Sequence, residues 1–223
     1  VPNTDLKLRM GLQAVALPNV AGGSAIMDGD AAAVVASYQF NENVGLTALW
    51  MRPLNDNYTG TNADGEAYGN GYKNYLDNMD LFALMLPLKF DGVELTPWAM
   101  YGMIGANSWD AIDHDMHKGS YPAYSLRPYP LAYNGGTFDT DKAYGSAFWA
   151  GLPISVTAFD PLNIELDINY GYIESMGRYK AERFDGSNTF RMGDTKREGW
   201  LVKALVEYKM DWGTPGIFGW YAS

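Results

Sequence analysis

Apolar and polar residues alternate with a period of two over long stretches of this chain, which is the pattern of β-strands with one apolar face. The clearest stretch is Ile164–Tyr172, where the even positions carry large apolar side chains and the odd positions are polar or glycine. Similar alternation runs through Leu6–Ala16, Phe82–Phe90 and Trp200–Met210. Weaker alternation predicts five more strand segments: Ala31–Phe40, Val44–Arg52, Val93–Ile104, Ala143–Phe159 and a final one from Ile217.

Short and long connections follow one another between these nine predicted strands. The short turns include Asp91-Gly92, a dipeptide that favours a tight hairpin because both residues tolerate positive φ. The long loops are Pro18–Asp30, Leu54–Asn78, Gly105–Lys142 and Met176–Lys196. No helical periodicity runs far enough to compete, although a short helix within Asn107–Lys118 is compatible with the sequence.

Two all-β antiparallel architectures fit these elements: a transmembrane β-barrel and a soluble β-sandwich. Strands in soluble proteins are usually about 5–6 residues long, whereas a membrane-spanning strand needs about 9–11. Long loops at one end of the strands and short turns at the other are typical of outer-membrane barrels. Aromatic residues also concentrate near both strand ends around an aliphatic middle, as at two membrane interfaces. The pattern therefore favours a barrel with short periplasmic turns and long extracellular loops.

Composition and charge exclude several classes of function. Glycine accounts for 25 of 223 residues, aromatics for 14% and charged residues for only 19%, against a usual charged fraction of about 25%. The absence of cysteine excludes disulfides and thiolate chemistry, and the net charge of −10 argues against a nucleic-acid partner. No nucleophile elbow, phosphate loop or dinucleotide fingerprint is present, so we expect no enzyme activity and no cofactor.

We expect the chain to form one β-barrel domain over residues 1–223 and to be part of a longer protein. Val1–Asp5 has neither the basic nor the apolar region of a signal peptide, and the sequence stops at Ser223 inside a predicted strand. Closed bacterial barrels normally have an even number of strands, and nine is odd. We therefore expect an incomplete barrel.

Particular segments carry a family resemblance, most densely between residues 6 and 105: Gly11–Asn19, Ala21–Ser24, Asn43–Thr47, Trp50–Tyr58, Tyr75–Phe82 and Thr96–Tyr101. They resemble the homotrimeric outer-membrane porins of sulfate-reducing bacteria. The resemblance implies part of a sixteen-stranded-type porin, located as a homotrimer in the outer membrane of a Gram-negative bacterium. Members of that family are longer than this chain, and the terminal aromatic residue common in outer-membrane proteins is absent at Ser223.

The function expected from this pattern is passive diffusion of small hydrophilic solutes and ions through a water-filled lumen. Charged and amide side chains opposite the apolar face are the pore-lining candidates: Arg9, Gln13, Glu94, Asp167, Asn169, Lys203 and Glu207. Those near the turns could instead pair with one another as struts of the wall. An outer-membrane adhesin or structural barrel remains an alternative function, as does, less favourably, a soluble β-sandwich binding protein.

The loop Gly105–Lys142 is the predicted constriction of the pore, because loops beyond about 15 residues tend to be functional or disordered and this one is rich in aromatics and proline. It offers both charge signs, from Asp110, Asp113, Asp115, Lys118 and Arg127. Its acidic residues are expected to face Arg9 and Lys203 across the lumen, with a mild preference for cations. The alternative is a surface cap outside the barrel.

The sequence also suggests where partners would bind and whether a metal site is present. The basic loop Met176–Lys196 is either a solvated surface or a contact with lipopolysaccharide or a neighbouring subunit. Small residues on the apolar face would let subunits approach closely in a trimer: Ala32, Ala36, Ala48 and Ala150. The acidic residues around His114 and His117 lack the spacing of a zinc helix or a calcium loop, so no metal site is expected.

Overall fold

The computed structural model describes residues 4–55, 78–105, 137–140, 144–175, 177–182, 189–194 and 196–223. In these residues the chain forms fourteen β-strands and no helix. The strands are β1 (Leu6–Ala16), β2 (Asp28–Gln39), β3 (Gly45–Asn55), β4 (Asn78–Met85), β5 (Leu88–Phe90), β6 (Val93–Leu95), β7 (Trp98–Gly105), β8 (Thr137–Thr140), β9 (Tyr144–Phe159), β10 (Leu162–Ile173), β11 (Gly177–Glu182), β12 (Thr189–Asp194), β13 (Arg197–Tyr208) and β14 (Gly216–Ala222). The helix considered within residues 107–118 lies outside the described residues.

One antiparallel sheet of eleven strands contains most of these elements, in the order β1-β2-β3-β4-β7-β9-β10-β13-β14, with β5 and β6 beside this path. Neighbours along the path follow one another in the chain apart from the small inserted strands, so the sheet is an up-and-down meander. The all-β antiparallel prediction is confirmed, and the nine predicted segments correspond to the nine-strand path. Within the described part of the chain, β1 and β14 do not pair with each other, so the sheet is open.

Two predicted strands, Phe82–Phe90 and Val93–Ile104, are each divided in two by a proline. Proline has no N–H to donate to a ladder, so Pro87 and Pro97 interrupt the regular pairing. Their carbonyls still accept hydrogen bonds, from Gly45 N at 3.0 Å and from Leu86 N at 2.9 Å respectively. The hairpin therefore continues beyond the breaks as β5 and β6.

A small sheet in the order β12-β11-β8 corrects the prediction that Gly105–Lys142 and Met176–Lys196 are connections without strands. β11 pairs with β12 of the same connection and with β8 of the other, both antiparallel. The two connections therefore meet at one end of the large sheet.

The two faces of the large sheet differ sharply. One face, here called the core face, carries the buried cluster, made of methionine, alanine and tryptophan side chains together with some aliphatic ones: Val15, Ala31, Ala33, Leu49, Met51, Met79, Leu81, Ala83, Trp98, Met100, Ile104, Ala147, Trp149 and Ile173. The opposite face, here called the outer face, leaves large apolar side chains exposed, up to 80% at Leu12 and 81% at Ile217. The alternation of the sequence is thus real, and most of the exposed large apolar residues lie on the outer face.

Tryptophan packs against glycine within the core face. Trp98 lies directly opposite Gly151 on the neighbouring strand, and Trp149 lies opposite Gly171 on the next. A Cβ atom at Gly151 would overlap the Trp98 indole, and one at Gly171 would lie 2.9 Å from Trp149 Cδ1. Glycine is therefore required at these two positions because a buried ring occupies the space of its missing side chain.

Candidate functional site

A buried ion pair lies on the core face, between neighbouring strands β10 and β13. Asp167 and Lys203 are directly opposite each other in the strand register, and Lys203 Nζ lies 3.2 Å from Asp167 Oδ2. Only 1% of Asp167 and 6% of Lys203 is exposed. A buried pair is maintained only if its remaining hydrogen-bonding capacity is also satisfied, so the surroundings of the two groups matter.

Both charged groups also bind the loop between β1 and β2. The amide of Val20 donates to Asp167 Oδ1 at 3.1 Å, and the amide of Ala21 donates to Oδ2 at 2.8 Å. Lys203 Nζ donates to the carbonyl oxygen of Gly23 at 2.6 Å. We call this set of contacts the latch. It joins residues 147 and 180 positions apart in the sequence.

The loop, residues 17–27, has the local structure that the latch requires. Leu17 N donates to Met27 O at 3.0 Å, which closes its base, and Met27 N donates to Ser24 Oγ at 3.3 Å. Gly22 and Gly23 at its tip have φ of 77° and 87°, a left-handed conformation that favours glycine. Leu17, Ala21 and Met27 are fully buried, and Leu17 and Met27 belong to the core cluster.

These contacts show that the core face is concave. The loop starts from the first hairpin of the sheet, yet it binds β10 and β13, near the far end of the strand order. A Cβ at Gly22 would lie 3.4 Å from Phe218 Cζ, so the loop tip also reaches β14, the last strand. One short loop can touch both ends of a nine-strand path only if the sheet curves around it.

The strand registers place all the predicted pore-lining residues on this concave face. Asn169 is buried beside Trp98, with 8% of its surface exposed, and Arg9 is exposed. Gln13 Nε2 donates to Ala33 O at 2.9 Å, while its Oε1 is buried and has no hydrogen-bond partner among the described residues. That these residues line a pore stays a prediction.

The predicted residues closer to the short turns are bound to neighbouring side chains. Glu94 pairs with Lys89 at 3.3 Å across the β5–β6 hairpin, with both side chains exposed. Glu207 accepts from Asn163 Nδ2 at 3.0 Å, and the same amide lies 3.3 Å from Glu165 Oε1. For these groups the alternative of struts within the wall agrees with the observed contacts.

Lys203, which the sequence pattern predicts to face the acidic residues of loop Gly105–Lys142, is bound to Asp167 and to the carbonyl oxygen of Gly23. The candidate constriction residues Asp110, Asp113, Asp115, Lys118 and Arg127 lie outside the described residues, so their role stays a prediction.

Aromatic side chains form rows across the outer face. Cross-strand pairing sets five of them side by side on consecutive strands: Trp50, Phe82, Tyr101, Phe148 and Tyr172. On the paired strands β10 and β13, the ring centroids of Tyr170 and Trp200 lie 5.0 Å apart. A second group lies beside the short turns: Tyr38, Phe40, Phe90, Phe159 and Tyr208.

An ion pair that the sequence pattern does not predict lies on the outer face, beside the row that contains Trp50 and Phe82 and on its long-loop side. Arg52 donates to Asp80 through Nε and Nη2, each at 2.9 Å, and Trp50 Nε1 donates to Asp80 Oδ1 at 3.0 Å. The Arg52 guanidinium also lies 5.6 Å from the Trp50 ring centroid. The two charges are partly exposed and fully paired, and they lie at the end of the strands that bears the long loops.

Comparisons with known proteins were made by scanning protein-family models and searching curated proteins and solved structures, and none of the three found a match. Among the described residues, no helix is long and apolar enough to cross a membrane. The same residues contain no group of three or more histidine, aspartate or glutamate side chains placed to hold a metal ion.

Proposed function

We propose that this chain is the wall of an outer-membrane porin, through which small hydrophilic solutes and ions diffuse passively. One observation carries the proposal: most of the exposed large apolar side chains of the curved sheet lie on its convex face, while a charged pair is buried on the concave face. Soluble proteins rarely expose apolar patches beyond a few hundred Å². A bilayer in contact with the outer face would give those side chains an apolar solvent.

The spacing of the aromatic rows supports this reading. Tyr208 and Trp200 are eight residues apart on β13, which corresponds to about 26 Å along a strand. A strand tilt of about 40° reduces this to about 20 Å in height, close to the apolar band of about 25 Å in outer-membrane barrels. Aromatic rings at both borders of that band match the two membrane interfaces.

The soluble β-sandwich is less well supported, because a sandwich buries one sheet against a second across an apolar face. Within the described ranges the outer face has no such covering: Leu8, Met10 and Leu12 are 53%, 66% and 80% exposed. In the part of the chain that the structure describes, the strands of the small sheet β12-β11-β8 pair only with one another. A lipid environment therefore accounts for the outer face better than a missing second layer does.

A homotrimer in the outer membrane, exposed to lipopolysaccharide on its long-loop side, is part of the same proposal. The small residues expected at a subunit contact do lie on the outer face, and in one register line across five strands Ala36, Ala48, Ala99 and Ala150 are interrupted only by Leu84. Small side chains in line allow two walls to approach closely.

Planar-bilayer recording of the full-length protein under a salt gradient tests the channel function. We expect discrete conductance steps and a reversal potential indicating a mild cation preference, weaker at high salt because screening shortens the reach of the charges. We expect cations to be preferred because the connections between the strands are acidic. A protein that folds into the bilayer, as heat-modifiable migration in electrophoresis would report, and yet never conducts would favour the adhesin or structural alternative.

A further inference from the structure

The loop 17–27 is more than a connection between two strands, because it is held inside the curve of the sheet. Both latch charges are buried, and each makes a hydrogen bond to the loop backbone in addition to the ion pair. The loop contributes Leu17 and Met27 to the core cluster. Charge-assisted hydrogen bonds are stronger than neutral ones, so the loop is fixed by polar and apolar contacts together.

The chemistry of the loop differs from that of the wall it covers. Residues 17–27 contain no charged side chain, and Gly22, Gly23 and Ala25 are its exposed positions. Where the loop lies against β10 and β13, it covers an acidic and a basic side chain of the wall. The surface presented there consists of loop backbone and small side chains. A solute passing this level would meet an uncharged surface.

We propose that residues 17–27 form a fixed constriction element of the channel, held by Asp167 and Lys203, which narrows the passage and screens this charge pair from permeating solutes. The inference rests on the proposed porin function. In this arrangement Asp167 and Lys203 position the loop, and they line the pore only when the loop is absent. At this level of the channel, selection would then be by solute size rather than by charge.

The position of the loop can be measured independently of conductance, because the chain contains no cysteine. Met27→Cys introduces a single thiol at a fully buried position next to the base of the loop. We expect this thiol to react slowly with a maleimide in the folded protein. Adding Asp167→Asn and Lys203→Met, which remove both charges together and leave neither one unpaired, should make it react about tenfold faster, because local opening then exposes it.

Conductance measures the consequence for the channel. The double variant Asp167→Asn/Lys203→Met should conduct about twofold more than the parent protein, because the narrowest section limits the flow. A second variant joins Leu17 to Met27 through an Asn-Gly turn in place of residues 18–26, which the Leu17–Met27 hydrogen bond makes feasible. It should also conduct more, and its selectivity should change because Asp167 and Lys203 become exposed to solute.

The matched control is Lys196→Met/Glu198→Gln, which removes an ion pair of 3.1 Å at the start of β13 with the same zero change in net charge. It should alter neither thiol reactivity nor conductance. A fast-reacting thiol in Met27→Cys alone would overturn the placement of the loop. A protected thiol with unchanged conductance in both loop variants would show that the loop does not narrow the channel.

Two further outcomes separate this inference from the function on which it rests. Trp109–Tyr133 is most of the predicted constriction loop Gly105–Lys142. If its deletion raises conductance while the variants of loop 17–27 do not, loop Gly105–Lys142 forms the constriction and this inference is wrong. If no variant conducts although the thiol responds as expected, the latch exists but the porin function fails, and with it the constriction role.

Discussion

Replacing Ile168 by arginine is expected to lower the free energy of unfolding by about 2–4 kcal/mol in lipid, the cost of a cation near the middle of the lipid-facing side of a barrel. Ile168 lies on the outer face of β10, directly opposite Leu152 and Val202 of the neighbouring strands. No acidic residue shares that register line on either strand. A denaturant titration of the protein folded into lipid vesicles measures the change.

Glu165→Arg on the same strand is the control. Glu165 lies on the core face, and Asn163 bridges it to Glu207, so an arginine there has a carboxylate within reach. We expect a loss below about 1 kcal/mol, as for most substitutions outside a packed core. Equal losses for the two variants would mean that the outer face is not in contact with hydrocarbon.

Replacing Gly151 by alanine should destabilise the protein by about 1–3 kcal/mol, the usual cost of overpacking a core. The added methyl group would overlap the Trp98 indole and crowd the Asn169 amide. Trp98 is almost fully buried, so the ring cannot swing into open space. The same vesicle-based titration provides the measurement.

The matched control for Gly151→Ala is Gly219→Ala, which replaces another strand glycine, in β14. No atom of the described residues lies within 4 Å of the Cβ that alanine would add, and the φ of Gly219 is not in the left-handed region. Alanine reduces the conformational freedom of the unfolded chain, so we expect no loss or a gain of about 0.5 kcal/mol. If Gly151→Ala were as stable as Gly219→Ala, the packing of Trp98 on Gly151 would be of no energetic consequence.

Much of the sheet could be predicted from the sequence because a strand is a local pattern. The alternation over Ile164–Tyr172 predicts β10 to within two residues at either end, and Leu6–Ala16 matches β1. The breaks at Pro87 and Pro97 also had a local signal, the missing N–H of proline, which the apolar alternation outweighed. The alternating charged and apolar residues of Arg178–Glu182 were a strand signal within a segment read as a loop.

The latch could not be predicted in this way, because it joins positions far apart in the sequence. Gly22-Gly23 indicated a turn, but nothing near it showed that the turn would bind Asp167. Alternation correctly placed Asp167, Asn169 and Lys203 on the face opposite the large apolar residues. It could not distinguish a wall position open to a lumen from one covered by a loop, since both are polar residues at odd positions of a strand.

The burial of Asn169 illustrates the same limit. From alternation alone Asn169→Arg would serve as the tolerant counterpart of Ile168→Arg, because the two residues are neighbours on opposite faces. The structure places the Asn169 amide against Trp98 at the Gly151 position, where an arginine has no room. Packing between strands, rather than the period of the pattern, decides which polar positions accept a larger side chain.

A spin-label scan of β10 in bilayers tests whether the outer face contacts lipid. Nine single-cysteine variants from Ile164 to Tyr172 are feasible because the chain has no cysteine of its own. Labels at the even positions should collide readily with dissolved oxygen and poorly with a water-soluble nickel complex, and labels at the odd positions should show low oxygen accessibility. If labels at the even positions were as accessible to the nickel complex as a label in a water-exposed turn, the outer face would be in contact with water and not with lipid.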